Sequence, residues 1–269
     1  MDSRRLHFLR SMDIDVWQRR ELARQTEDAV VTQRSDVIET VVKQSQPPRS
    51  AMSSQRVAEV VKPSVIPPPD VIRDIALPGL DTWTDVEHAV RNCTRCALHT
   101  SRTQTVFGVG DRSAQWMVVG EAPGVDEDRK GEPFVGRAGQ LLNAMLLAIG
   151  LKREQVFIAN ILKCRPPNNR DPNPDEVNCC MPYLQRQIEL VNPRLILCVG
   201  RIAAQNLLAT DTPIGKLRGT VHHLGVHRKP VVVTYHPAYL LRSPNEKRKA
   251  WTDLQLAMQV FESTRHATV

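Results

Sequence analysis

Trp116-Met117-Val118-Val119-Gly120-Glu121-Ala122-Pro123-Gly124 is an apolar run that breaks off into a turn rich in glycine and proline. A short run of this kind, without polar alternation, reads as a strand covered on both faces, the pattern of a parallel sheet. Outward from it the pattern recurs at residues 156–159, 195–199 and 231–235, while helical periodicity fills residues 139–149, 174–191 and 201–208 and returns at about 246–261. Strand and helix in alternation predict a doubly wound α/β sheet. Ligands of such sheets bind beyond the carboxyl ends of the strands. Gly120 to Gly124 leave the first strand, Asn160 ends the second, Gly200 the third and His236-Pro237 the fourth. Four segments remote in sequence are therefore expected at one crevice.

The alternation starts only after about residue 80. Residues 44–78 contain Pro47, Pro48, Pro63, Pro67, Pro68, Pro69 and Pro78, with neither glycine nor an aromatic residue, which is the composition of a semi-extended linker. Ahead of it, Leu6, Leu9, Met12, Ile14 and Trp17 suit a short amphipathic helix, either frayed or a docking peptide for a protein partner. The expected organisation is a largely disordered extension over residues 1–80 and one domain over 81–269.

Composition narrows the function classes. The chain has 269 residues, 41% of them hydrophobic and 24% charged. No stretch approaches the roughly 20 apolar residues of a membrane span, and the start, with Arg4, Arg5, Arg10, Asp13 and Asp15, lacks the apolar centre of a signal peptide. A cytoplasmic protein without membrane contact is expected, excluding membrane, secreted-scaffold and fibrous classes. Of the net charge of +7, most sits in residues 81–269, with 24 basic against 18 acidic side chains. That excess is a weak pointer to a polyanionic partner.

Six cysteines in a reducing compartment read first as metal or redox chemistry. Cys93 and Cys96 form a C-x2-C pair; Cys164, with either Cys179 or Cys180, supplies two further thiols, enough for zinc or an iron–sulfur cluster. A zinc ribbon normally closes with a second C-x2-C, which is missing. Cys198, inside an apolar strand, reads as core.

Residues 120–142 (GEAPGVDEDRKGEPFVGRAGQLL), 160–180 (NILKCRPPNNRDPNPDEVNCC) and 236–242 (HPAYLLR) together resemble the iron–sulfur uracil-DNA glycosylases of family four. The resemblance covers residues from about 82 to 262. It implies a three-layer α/β/α sandwich with a central parallel sheet, a [4Fe-4S] cluster, and excision of uracil from DNA. It also implies Cys93, Cys96, Cys164 and Cys180 as the cluster ligands, choosing Cys180 over its neighbour.

The residues carry their own reading beside it. A base glycosylase extrudes its target nucleotide, stacks an aromatic ring on the base and reads the Watson–Crick edge. Asn160 can accept from uracil N3–H and donate to O4, whereas cytosine presents the reverse pattern; Phe134 suits the stacking role. Breaking the C1′–N1 bond builds negative charge on the base, which His236 can meet by donating to O2, helped by backbone amides of Gly120, Glu121 and Ala122. For the water-activating group the candidates are Glu121, Asp126 and Glu127, because Ala122 stands where better-known relatives carry Asp. Lys163, Arg165, Arg170 and Arg242 are candidate phosphate contacts, and Leu240 or Leu241 a wedge into the vacated base stack.

The expected activity is hydrolysis of deoxyuridine's glycosidic bond by a monomer acting on single- or double-stranded DNA, leaving an abasic site. A glycosylase that traps the sugar on a histidine is disfavoured, since residues 165–174 contain none. The alternative from another class is a non-catalytic iron–sulfur DNA-binding accessory protein of replication or repair.

Overall fold

The computed structural model describes residues 79–266. The amphipathic segment and proline-rich linker expected within residues 1–78 lie outside the described residues. A helix, α1 (Trp83–Arg91), opens the described part. Its start is fixed by a reciprocal cap: Asp85 N–H donates to Thr82 Oγ1 at 3.2 Å and Thr82 N–H to Asp85 Oδ2 at 2.9 Å. The elements that follow are β1 (Val109–Gly110), β2 (Trp116–Gly120), α2 (Val125–Lys130), α3 (Arg137–Ala148), β3 (Phe157–Asn160) and α4 (Pro174–Val191). After them come β4 (Leu195–Val199), α5 (Arg201–Leu207), α6 (Ile214–Leu217), β5 (Val221–Leu224), β6 (Lys229–Thr234), α7 (Pro237–Arg242) and α8 (Lys247–His266).

The sheet runs in the order β1-β3-β2-β4-β6-β5. The four predicted strands form its parallel centre, and the two outer strands, β1 and β5, pair antiparallel. From β2 the chain crosses to β3 on one side; from β4 it crosses to β6 on the other. The direction of winding therefore reverses between β2 and β4, where the helices diverge and a crevice opens at the carboxyl ends.

Period-2 geometry sorts the apolar strand residues into two cores. Met117, Val119, Phe157, Ala159, Ile196, Cys198, Val231 and Val233 face α1, α4, α5 and α6, packing with Val86, Leu184, Ala203 and Leu217. Trp116, Val118, Ile158, Leu195, Leu197, Val199 and Val232 face the opposite layer, meeting Leu142 and Met145 of α3, Leu240 of α7 and Leu254 of α8. This is the three-layer α/β/α sandwich. Among the described residues no helix is long and apolar enough to cross a membrane.

Candidate functional site

The strand ends bring Gly120, Phe134, Asn160 and His236 together. Gly120 is the meeting point: a Cβ there would lie 2.4 Å from Asn160 Oδ1 and 2.6 Å from Phe134 Cζ, so only glycine allows this approach. Asn160 is 2% exposed, and its Oδ1 is buried without a hydrogen-bond partner among the described residues. An acceptor in that state is costly unless something else supplies the donor. The Phe134 ring lies against His236 with centroids 5.6 Å apart and planes 30° from parallel.

Phe134 holds φ 54°, a left-handed conformation that a bulky residue adopts only under constraint. The constraints are visible. Arg153 Nη1 donates to the Phe134 carbonyl at 3.3 Å, and a Cβ on Gly139 would come within 1.8 Å of that oxygen. Glu127 fastens both flanks of the loop: Oε2 accepts from Gly124 N–H at 3.1 Å, and Oε1 accepts from Val135 and Gly136 N–H at 3.0 and 3.3 Å. Both of its carboxylate oxygens are thus engaged in shaping the loop. Asp126, on the exposed side of α2, lies 3.9 Å from Arg129.

His236 caps α7. Its Nδ1 accepts from Ala238 N–H at 3.1 Å. A ring nitrogen that accepts carries no proton, so the neutral imidazole has its hydrogen on Nε2. Burial, followed by the positive charge of Arg242 and opposed by Glu127, pushes the His236 pKa down to about 4. Gly200, at φ 101°, lets the ring in: a Cβ there would be 3.0 Å from His236 Cβ.

Glu121 follows β2 and is half-buried. Burial and the like charge of Asp171, opposed by Arg201, push its pKa up to about 7. Asp171 and Arg201 are themselves paired, Nη2 to Oδ2 at 2.7 Å. Ala122 packs against the first core.

Two of the expected DNA contacts need correction. Leu240 is 0% exposed in the second core, because residues 237–242 form a helix whose register turns it inward. Lys163 is 1% exposed, its Nζ donating to the Asn160 carbonyl at 2.8 Å and to Gln187 Oε1 at 2.6 Å. Neither reaches a DNA surface in this fold. Arg170 forks onto Glu176 at 2.9 and 2.6 Å, and Arg165 Nε donates to Asn169 Oδ1 at 2.7 Å. Leu241 is half-buried beside the second core, and Arg242 stands at the end of α7, close enough to act on His236.

Cys93, Cys96, Cys164 and Cys180 line one pocket, together with Cys179. Arg102 Nη1 donates to Cys164 Sγ at 3.1 Å and Lys163 N–H to Cys180 Sγ at 3.2 Å, whereas Cys179 Sγ turns to the Arg95 carbonyl at 3.2 Å. Burial raises the Cys96 and Cys164 pKa values and pushes Cys180 up to about 12. Among the described residues no three His, Cys, Asp or Glu side chains are arranged around a single ion. Four thiols lining one pocket, two of them accepting N–H bonds of the kind cluster sulfurs take, are a donor set that fits an iron–sulfur cluster. Cys198 is buried in β4 as expected.

Sequence reasoning missed the fastening role of Glu127, although E three residues after Gly124 is a capping spacing. It also missed Arg153, Asp171, Gln187 and Arg201, whose partners come only with the fold.

The model of the Uracil DNA glycosylase superfamily matches residues 107–255. The type-4 uracil-DNA glycosylase of Archaeoglobus fulgidus is 46% identical over 182 residues, which are 65% of this chain and 92% of that protein. Those of Sulfurisphaera tokodaii (40% identical, 71% of this chain and 90% of the relative) and Thermotoga maritima (45%, 61% and 86%) are similarly close.

Proposed function

Since the chain belongs to the uracil-DNA glycosylase superfamily and is a uracil-DNA glycosylase of the type-4 kind, we propose that it hydrolyses the C1′–N1 bond of deoxyuridine in DNA, releasing uracil and leaving an abasic site. Such an enzyme acts in DNA repair, here as a cytoplasmic monomer. The observation that carries the reading is the orphaned Asn160 Oδ1, buried against Phe134 and Gly120. Uracil N3–H supplies the donor it lacks, while the amide nitrogen donates to O4. Cytosine would place an unprotonated N3 against that oxygen and an amine against the amide N–H groups, leaving buried polar atoms unmatched.

Catalysis then needs negative charge stabilised on the base and water brought to the sugar. His236 donates from Nε2 to uracil O2 as charge develops there; because it is already neutral, no proton need be lost first. One preorganised donor of this type contributes about 3 kcal/mol to the barrier reduction. Glu121, with a pKa near neutrality, accepts a proton from the attacking water and its carboxylate opposes the positive charge growing on the sugar. Asp126 and Glu127 stand further from this role, the first exposed and the second fastening the loop. Backbone amides of Gly120, Glu121 and Ala122 add to the anion site. Arg165, Arg170, Leu241 and Arg242 remain the candidate contacts to the strand.

Cys93, Cys96, Cys164 and Cys180 would hold a [4Fe-4S] cluster, whose contribution would be to tie the segment after α1 to the loop before α4 and to α4 itself. The protein's own residues carry the chemistry.

The test is single-turnover excision from uracil-containing oligonucleotides by the parent and Asn160→Asp. A carboxylate cannot donate to O4 and opposes the anion, so uracil excision should fall by about 100-fold or more, with cytosine gaining as an alternative base. An unchanged uracil rate in Asn160→Asp would overturn the assignment of the pocket.

A further inference from the structure

Lys163 lies between the cysteine bay and the base-reading residue. It sits one position before Cys164, lines the cavity with the four thiols, and donates its backbone N–H to Cys180 Sγ at 3.2 Å. Its Nζ donates to the carbonyl oxygen of Asn160 at 2.8 Å and to Gln187 Oε1 at 2.6 Å. Gln187, fully buried in α4, is fixed in turn by its Nε2 donating to the Phe107 carbonyl at 2.9 Å. Both acceptors of the ammonium are neutral.

A lysine this deeply buried is rare without an anionic partner, because leaving water is costly for an unpaired charge. Among the described residues no carboxylate is bonded to it, and the groups acting on it that can bear negative charge are the sulfurs of Cys180 and Cys164. Resting on the cluster assignment made above, we propose that Lys163 is a positioning residue that couples the two sites. Its ammonium is the internal counter-charge of the thiolate-bound cluster, and the same ammonium holds the Asn160 peptide so that the carboxamide faces the base. Loss of the cluster would then loosen the uracil pocket without any cluster atom touching DNA.

The experiment uses the full chain, first checked for iron. A parent protein without iron would overturn the cluster assignment itself, a result obtained before any variant is made. In iron-loaded protein, the cluster's reduction potential and the dissociation constant of free uracil are measured for the parent, Lys163→Met and Lys163→Arg. Removing a positive charge beside the cluster disfavours the extra electron, so Lys163→Met should shift the potential to more negative values. A variant that merely admitted water would shift it the other way, because solvent favours the more highly charged reduced form.

Lys163→Met should also bind free uracil roughly tenfold more weakly, the order expected for losing a charged hydrogen bond that holds the site. Affinity for undamaged DNA should stay unchanged, since the side chain is buried. Lys163→Arg keeps the charge but not the geometry; it should hold the parent's potential while weakening uracil. If Lys163→Met does not accumulate folded, Lys163→Arg and Gln187→Met carry the test, both with the parent's potential and weakened uracil binding. A potential unchanged or raised in Lys163→Met, or uracil affinity equal to the parent's in all variants, would overturn the proposal.

Discussion

His236 is a donor because its other nitrogen is occupied. The Ala238 N–H on Nδ1 leaves Nε2 protonated, and burial keeps the ring uncharged at any pH above about 4. Truncation to alanine removes an interaction made chiefly in the transition state. His236→Ala should therefore lower the single-turnover rate by about 100-fold or more, while a binding titration on the same oligonucleotide changes little. Glu121 is the pH-sensitive partner. Its carboxylate is the active form, so excision should rise with pH up to about 7 and then level off; Glu121→Gln should be slow and flat over the same range, as read from single-turnover rates between pH 5 and 9. Stability carries opposite signatures. Glu121's pKa rises from 4.5 to about 7, so between those values the folded protein holds a proton the unfolded chain has released, and stability falls as pH rises. His236 drops from 6.5 to about 4, so its contribution is present above 6.5 and is lost as pH falls toward 4. Denaturant titrations of Glu121→Gln across pH 5 to 7 should lose the falling component.

Among the elements, the four central strands are legible because each is an apolar run too short for a helix and flanked by Gly, Pro or Asn. The outer strands are not: Val109–Gly110 is too short to hold a pattern, and Val221–Leu224 carries His222 and His223 where alternation would be sought. Pro237 at the first helical position and His236 as its cap make residues 237–242 a helix, α7, which turns Leu240, expected as a wedge on the DNA side, into the core. The candidate pocket is legible as strand ends, whereas Glu127, Lys163 and Gln187 work through partners that no local pattern announces. The two neighbouring cysteines of α4 separate by helix geometry: Cys180 faces the cavity wall with Leu184, and Cys179 bonds outward to Arg95. Cys180→Ala should lose the cluster, and Cys179→Ala should keep it, as measured by iron content and visible absorbance near 400 nm.

In the molecule as a whole, every strand of the sheet's centre is covered by helices starting at Trp83 or later. A protein beginning at Gly79 should fold, show one cooperative thermal transition and excise uracil at close to the full-length rate. A molten or inactive product would show that residues 1–78 complete the domain. The strict alternation of the central strands has a genetic corollary. Phe157 and Ala159 face one helical layer, Ile158 the other, and Asn160 follows in parity with Ile158, toward Phe134. Apolar exchanges along β3 leave that parity intact, but one added or deleted codon between Phe157 and Asn160 inverts it, turning the carboxamide toward the wrong layer while the run stays as apolar as before. This gene should therefore tolerate missense changes in its strands far better than single-codon insertions, even where hydropathy records no difference.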